Sequence, residues 1–351
     1  MLFPNAEIII NPFVLVLLGL LVGTLSGFFG IGGGFLITGS LLVLGVPPLF
    51  AVGTGITLVM GTSIISTLKH RELGNVDIKF GICLISGTMP AIFIAERLNQ
   101  FLAVNDLSAP VIKGLYVILL SSVGMFIIYD SLKSYRKAKN DNVSEATKPA
   151  SKFLRELRIG PEFIYIPFLG KKSTYLNFPV AQIESMSILV IVMIGFIIGF
   201  IAGLLGAGGG FILMPVLIYF IGIPTTVAIG TDLMQVIVTG SLGTFLYALS
   251  DNVDIVMASL MLVPAFFLSQ VGALATKYVR PDKIRIIYGL LLTFGGLSVA
   301  LEYASSFMGN SLFIRQLAIC ILLGSASCIS LWILGLFFKG YINRNNKVSV
   351  D

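Results

Sequence analysis

The sequence predicts an all-α polytopic membrane protein made of two inverted-topology repeats, about five apolar segments in each, plus one extra C-terminal helix. Three observations predict it. Of the 351 residues 56% are hydrophobic and only 11% charged, whereas a soluble domain carries about 25% charged residues. The chain repeats its own motifs at an offset of 176–177 residues. Its cationic residues gather at the ends of particular segments, in a pattern that orients the two halves oppositely.

Composition excludes disorder, a coiled coil, a collagen-like fibre and a disulfide scaffold. Cys83, Cys320 and Cys328 lie in apolar stretches without a CxxC, and His70 is the single histidine. That set builds neither a disulfide framework nor a structural zinc site, so no metal and no cofactor are expected. The net charge of +6 is concentrated: between Lys133 and Glu184 ten Lys/Arg face five Asp/Glu, a local balance of +5. No basic helix or aromatic–basic module accompanies it, so nucleic acid is not a predicted partner. The stretch Met1 to Glu7 has no basic residue, and the apolar run behind it reads as a retained membrane segment.

The first repeat occupies 1–130, with apolar segments near 12–29, 33–46, 51–68, 79–95 and 111–130. The second occupies 186–303, with segments near 186–205, 210–223, 227–249, 255–276 and 284–303. Gly19, Gly23, Gly27, Gly30, Gly32, Gly33, Gly34 and Phe35 recur as Gly195, Gly199, Gly203, Gly206, Gly208, Gly209, Gly210 and Phe211. Further along, Gly53-Thr54 matches Gly230-Thr231, Asn75-Val76-Asp77-Ile78 matches Asn252-Val253-Asp254-Ile255, and Pro90 matches Pro264. Lipid requires each spanning segment to be helical, because unpaired N–H and C=O groups are too costly there. Residues 304–338 supply the extra helix and 339–351 a tail.

Basic residues orient these segments. Lys69-His70-Arg71 follows the third segment and Lys277, Arg280, Lys283 and Arg285 follow the fourth of the second half, so both ends are predicted cytoplasmic. The connecting loop at 131–185 and the tail with Lys339, Arg344 and Lys347 fall on the same side. All agree if the N-terminus is outside and each half crosses an odd number of times, which inverts one half relative to the other. Parity leaves one choice open. The second segment of each half, about 14 residues or roughly 21 Å of helix, is short of the hydrocarbon core of about 30 Å. The first two segments are either a full hairpin, giving about eleven crossings, or a re-entrant hairpin with an intramembrane glycine turn, giving about seven. The short second arm favours the turn.

Two constellations carry chemistry. The glycine turns Gly30-Ile31-Gly32-Gly33-Gly34 and Gly206-Ala207-Gly208-Gly209-Gly210 each lead into a helix whose first N–H groups lack intrahelical partners. Such an end suits an anion without a cationic side chain, and Gly30, Gly32, Gly33, Gly34, Gly206, Gly208, Gly209 and Gly210 are candidate substrate contacts. The alternative is close helix packing, the better reading for the four-spaced Gly19, Gly23 and Gly27. The third segments are the second constellation. Thr231, Asp232, Gln235 and Thr239 interrupt an apolar helix, and positions 232, 235 and 239 share one face. Thr54, Thr231 and Gln235 are candidate substrate contacts. Asp232, whose counterpart is Gly55, is the candidate to carry a coupling proton or to contact a coupling cation, against a structural role for a hydrogen-bonded acid. For the other Ser and Thr residues interhelical hydrogen bonding is the expected role. His70 is expected at the cytoplasmic interface, with a gate or pH sensor as the alternative. Asp77 and Asp254 should cap the fourth segments. Lys113 and Arg285 should snorkel to the interface, while Gln270 and Glu302 have no assigned part. In the connecting loop four prolines break a long helix. A short helix near Lys152 to Arg158 followed by an extended stretch is expected, and the basic residues could attract anionic lipid headgroups.

The runs Gly27-Phe28-Phe29-Gly30-Ile31-Gly32-Gly33-Gly34 and Gly203-Leu204-Leu205-Gly206-Ala207-Gly208-Gly209-Gly210, with Lys69-His70-Arg71-Glu72-Leu73-Gly74-Asn75-Val76-Asp77, resemble the sulfite exporter TauE/SafE family of prokaryotic membrane proteins. The resemblance covers roughly 12–130 and 186–303. It implies transport of a small sulfur oxyanion or organosulfonate across the plasma membrane; the long basic loop and the extra helix depart from the family's usual segment count. The expected function is a secondary anion transporter working by alternating access. The alternatives are an anion channel, or a non-transporting structural or assembly protein. No P-loop GxxxxGK[ST] is present, and no nucleophile–base set or HExxH marks an enzyme.

Overall fold

The computed structural model describes residues 2–3, 6, 8–140, 163–166, 170–307 and 312–348. It is helical apart from three short antiparallel hairpins, β1 (Leu2–Phe3) with β2 (Ile8–Ile9), β3 (Phe163–Ile166) with β4 (Gly170–Ser173), and β5 (Tyr175–Phe178) with β6 (Ile183–Ser187). The first half contributes α1 (Pro12–Phe29), α2 (Gly34–Val43), α3 (Pro48–Glu72), α4 (Ile78–Val104) and α5 (Ser108–Asn140). The second contributes α6 (Ile188–Leu205), α7 (Gly210–Pro215), α8 (Thr225–Leu249), α9 (Ile255–Ala275) and α10 (Pro281–Phe307). The last helix, α11, runs Leu312–Val348. Nine helices among the described residues are long and apolar enough to cross a membrane.

Helix boundaries follow their local chemistry. Asn11 caps α1 by accepting the Phe13 N–H, with Pro12 at the first helical position. Asp77 and Asp254 cap α4 and α9, as expected, accepting from Phe80 N–H and Met257 N–H. α1 and α6 both stop at a glycine in the left-handed region, Gly30 at φ 75° and Gly206 at φ 64°. α7 continues into a π-helical stretch, Val216–Ile221. Pro215 lies at the changeover and has no N–H to give the ladder. Its counterpart in the first half is Gly39, and α2 stays α-helical.

Equivalent elements of the two halves pack reciprocally. α1 lies along α9, with Gly19 against Met261 and Pro264, Gly23 against Ala265 and Gly27 against Ser269. α6 lies along α4 in the same way, Gly195 against Leu84 and Gly199 against Thr88. Both pairs run parallel, and the four-spaced glycines let the backbones meet, as expected for packing glycines. α3 and α8 face each other, Gly53 against Asn252, Ile56 against Gly243, Met60 against Gly240 and Asn75 against Gly230. One index rises as the other falls, so these equivalent helices are antiparallel. α5 and α10 behave alike, with Ser121 on Gly296 and Ile128 on Gly289. Self-pairing of equivalents in antiparallel fashion is the geometry an inverted repeat requires.

The structure also speaks to the choice that parity left open. Gly32 and Gly208 both lie against Val59 and Val236, each the twelfth residue of a 25-residue helix. Both glycine turns therefore end at mid-height of the α3–α8 pair. α11 packs beside α1, α2, α9 and α10. Ser298 donates to the Ala318 carbonyl (2.7 Å), and Arg315 Nε to the Val43 carbonyl at the end of α2 (3.1 Å). In the connecting segment α5 extends to Asn140 and the two hairpins β3–β4 and β5–β6 follow. The helix expected near Lys152 to Arg158 lies outside the described residues.

Candidate functional site

The two glycine turns touch each other at the centre of the molecule. Gly34 lies against Ala207, and Gly210 against Ile31, so each helix start abuts the other half's turn. Neither N-cap, Gly33 nor Gly209, has a side chain to satisfy the N–H groups of α2 and α7. Gly32, Gly33, Gly208 and Gly209 all have positive φ, and a Cβ on Gly208 would stand 2.5 Å from Val59 Cγ1. The backbone geometry and the packing therefore both demand glycine here.

Asp232 projects into this junction from α8, and Gln235 follows one turn along the same helix face. Both are fully buried. Among the described residues neither carboxylate oxygen of Asp232, nor the amide oxygen or nitrogen of Gln235, has a hydrogen-bond partner. The point where a Gly210 Cβ would sit is 2.9 Å from Asp232 Oδ2 and 3.0 Å from the Ile31 carbonyl. The Asp232 carboxylate and the Ile31 carbonyl of the opposite turn thus both lie beside Gly210, and no donor reaches the carboxylate among the described residues. A buried carboxylate without a donor is costly unless it holds a proton or meets a cation. Ser63, also buried with an unpaired hydroxyl, lies beside Gly32 across the same junction. Asp232's counterpart, Gly55, packs on Thr38, so the acid belongs to one turn only.

Thr54 and Thr231 sit at the same helices but do other work. Thr231 Oγ1 accepts from Asp77 N–H (2.9 Å), and Thr54 Oγ1 accepts from Asp254 N–H (3.0 Å). Each ties a helix of one half to the Asn-Val-Asp turn of the other. These latches give both threonines a structural partner, which the reading of them as substrate contacts did not foresee.

Three other residues have partners that the sequence did not show. His70, in the last turn of α3, is buried in the protein, and its Nε2 bonds the Gly27 carbonyl at 3.0 Å. Its counterpart is Tyr247, whose OH donates to the Gly203 carbonyl at 3.0 Å. The pair performs one task, fastening the end of α1 or α6 to the far end of α3 or α8. The basic neighbours Lys69 and Arg71 concealed that role, which the alignment of His70 with Tyr247 could have revealed. Lys113 does not snorkel: it pairs with Glu302 at 2.8 Å, both side chains mostly buried. Glu302 thereby acquires a part. Arg285 Nε donates to Thr225 Oγ1 at 2.9 Å.

Sequence reasoning missed the cluster that steadies the second turn. Asn99 Nδ2 donates to the Leu204 carbonyl, Tyr116 OH to Leu205 and Thr38 Oγ1 to Gly206. With Tyr247 on Gly203, four consecutive carbonyls at the end of α6 are held by side chains. These donors lie on four separate helices, so no local motif announces them.

The sulfite exporter TauE/SafE family model matches residues 15–299, which include both turns, the α3–α8 pair and the Asn-Val-Asp latches. The chain belongs to this family. Among its relatives, the probable membrane transporter protein YunE of Bacillus subtilis is 26% identical over 297 residues, 82% of this chain and 97% of that protein. A probable membrane transporter protein of Methanocaldococcus jannaschii is 26% identical over 302 residues, 82% of this chain and 95% of its own. Sulfite exporter TauE/SafE family protein 5 of Arabidopsis thaliana is 28% identical over 116 residues, 31% of this chain and 26% of its own. No solved structure matches. Family membership and nine long apolar helices make this a multi-pass membrane transporter of the TauE/SafE family. No group of three or more His, Cys, Asp or Glu placed to hold a metal occurs among the described residues.

Proposed function

We propose that the chain is a secondary transporter that carries a small anion, a sulfur oxyanion or organosulfonate such as sulfite, through the junction of its two glycine turns. One observation carries the reading. Turns from opposite halves meet at mid-height of the α3–α8 pair, the buried Asp232 brings an unpaired carboxylate there, and the buried Gln235, unpaired among the described residues, lies one turn along the same helix. Gln235 can both donate to and accept from an oxyanion, and the uncapped starts of α2 and α7 place helix N–H groups toward it. The sulfur chemistry rests on the family and on the names of relatives, not on the geometry. Asp232 is the group that carries the coupling proton: a buried carboxyl with no donor at either oxygen among the described residues is stabilised by taking one up, and Tyr288 lies close by, its OH on the Phe211 carbonyl at 2.9 Å. Alternating access follows if one repeat rocks against the other about the α3–α8 and α5–α10 contacts. The charge pattern orients the chain in the plasma membrane of a prokaryote with its N-terminus outside and its connecting segment and C-terminus in the cytoplasm. Anionic lipids at the basic connecting segment are the proposed membrane contact. No catalytic role is assigned to any residue.

Calorimetric titration of the purified protein with sulfite, thiosulfate and small sulfonates tests the site. At least one should bind saturably, and Gln235→Leu should weaken it about tenfold or more, the effect of losing a hydrogen bond to a charged group. Binding unchanged in Gln235→Leu would move the site elsewhere.

A further inference from the structure

A hairpin precedes the first helix of each half, and the two hairpins are copies. Phe3-Pro4-Asn5-Ala6-Glu7-Ile8 and Phe178-Pro179-Val180-Ala181-Gln182-Ile183 share Phe, Pro, Ala and Ile at one offset of 175 residues. Both pair antiparallel, β1 with β2 and β5 with β6. Phe3 and Ala6 are buried, as are Phe178 and Ala181. The repeat therefore begins with the hairpin, not with the helix.

The packing places them at opposite ends of the molecule. α6 runs parallel to α4, so β5–β6 arrives where Asp77 caps α4. There Phe178 meets Phe80 edge to face at 5.2 Å, and Ala181 N–H donates to Asp77 Oδ2 at 3.0 Å. α1 runs parallel to α9, so β1–β2 arrives where Asp254 caps α9. Because α3 and α8 are antiparallel, these two junctions lie at opposite ends of the central pair.

At this point the copies differ. Asp77 uses both oxygens, one on Phe80 N–H and one on Ala181 N–H. Asp254 uses Oδ1 on Met257 N–H, but its Oδ2 has no partner among the described residues, although Asp254 is 1% exposed. A buried carboxylate oxygen without a donor is costly. Its counterpart shows which donor is missing, the N–H of Ala6.

We propose that the two hairpins are matched end-latches that close alternately, Ala181 N–H on Asp77 in the state seen here and Ala6 N–H on Asp254 in the opposite state. The inference rests on the transporter reading, because an alternating latch requires two states of the inverted repeat. In an inverted repeat, exchanging the conformations of the two halves generates the second state. An interaction made by one half alone then belongs to one state and changes hands in the other. Asp77 and Asp254 hold the α3–α4 and α8–α9 junctions, and these also carry the Thr231 and Thr54 bonds. Each latch thus acts on an Asn-Val-Asp turn that clamps the other half.

Hydrogen–deuterium exchange of the full-length protein in lipid nanodiscs tests this, reading peptides that span 1–10 and 176–187. Asp77→Asn keeps an acceptor for Phe80 N–H but turns an amide NH2 toward Ala181 N–H. It should speed exchange of 176–187 by about ten- to hundredfold and at the same time slow exchange of 1–10. Faster exchange at 176–187 with 1–10 unchanged would make the hairpins independent caps and overturn the proposal. Asp254→Asn breaks no bond of Oδ2 in this state and so should fold even if the first variant does not. It should slow exchange of 176–187 by about tenfold, because the competing state is lost, and unchanged or faster exchange there would overturn the proposal. Failure of wild-type protein to move any anion would instead count against the transporter reading, and leave the exchange result to judge the coupling of the hairpins.

Discussion

In the proposed site, Asp232 is the side chain on which the chemistry turns. It is fully buried, neither oxygen has a hydrogen-bond partner among the described residues, and it faces the opposite turn. Asp232→Asn keeps the shape and loses the titration. Anion binding should survive, and acceleration of flux by an imposed pH gradient should disappear; a variant that still responds to the gradient would remove Asp232 from coupling. Thr231 and Thr54 make a second test at this scale. Thr231→Val and Thr54→Val should each cost about 1 kcal/mol of stability, read as similar losses of melting temperature, while Thr231→Ser should be near neutral. Unequal losses would mean that the two latches are not equivalent. At this scale the sequence was only partly legible. An acid in an apolar helix announces Asp232, because a charge there needs a reason. Hydroxyls announce nothing, since a threonine that accepts a distant N–H and one that binds substrate look alike in sequence. His70 misled because Lys69 and Arg71 flank it. Helical rotation turns neighbours to different faces, so His70 can be buried between them.

Among elements, the antiparallel contact of α5 and α10 holds the Lys113–Glu302 pair. Both groups are mostly out of water, so removing one charge upsets the balance that the pair keeps there. Lys113→Met should cost about 3 kcal/mol or more, and Lys113→Met with Glu302→Met much less, because the charges then leave together; equal costs for single and double variants would mean that the pair is not coupled. The turns are the other test. Gly208→Ala places a Cβ at φ 67° against Val59. The left-handed conformation alone costs about 1–2 kcal/mol, and the contact adds to it, so flux should fall about tenfold or more. The same exchange at Gly114, which has open space around it, should leave flux intact. Element existence was legible because apolar length and glycine spacing are local signals. The short second arms favoured an intramembrane position for the turns over a full hairpin, and the turns meet at Val59 and Val236, the middle of the α3–α8 pair. The π-helical end of α7 was not read, although Pro215 stands at its start.

For the whole molecule, the repeat carries the account. It was visible because glycines, an Asn-Val-Asp turn and prolines recur in one order, each fixed by a backbone requirement that tolerates few substitutes. Its inversion was legible from where cations fall, and the antiparallel α3–α8 and α5–α10 contacts match it. The hairpin copies escaped notice because they are short and lie outside the apolar segments that anchored the alignment. The donors around the end of α6 were illegible for another reason, since they converge only in the folded chain. The proposed site between the repeats is thus a property of their packing, and the central claim is the proposal that anions cross there with coupling to a proton. The most direct test is flux of radiolabelled sulfite into proteoliposomes, with and without an imposed pH gradient. The account predicts saturable flux that the gradient accelerates and that shows counterflow. Flux of sulfite, sulfonates and thiosulfate no greater than in empty liposomes, or conductance that never saturates, would contradict it.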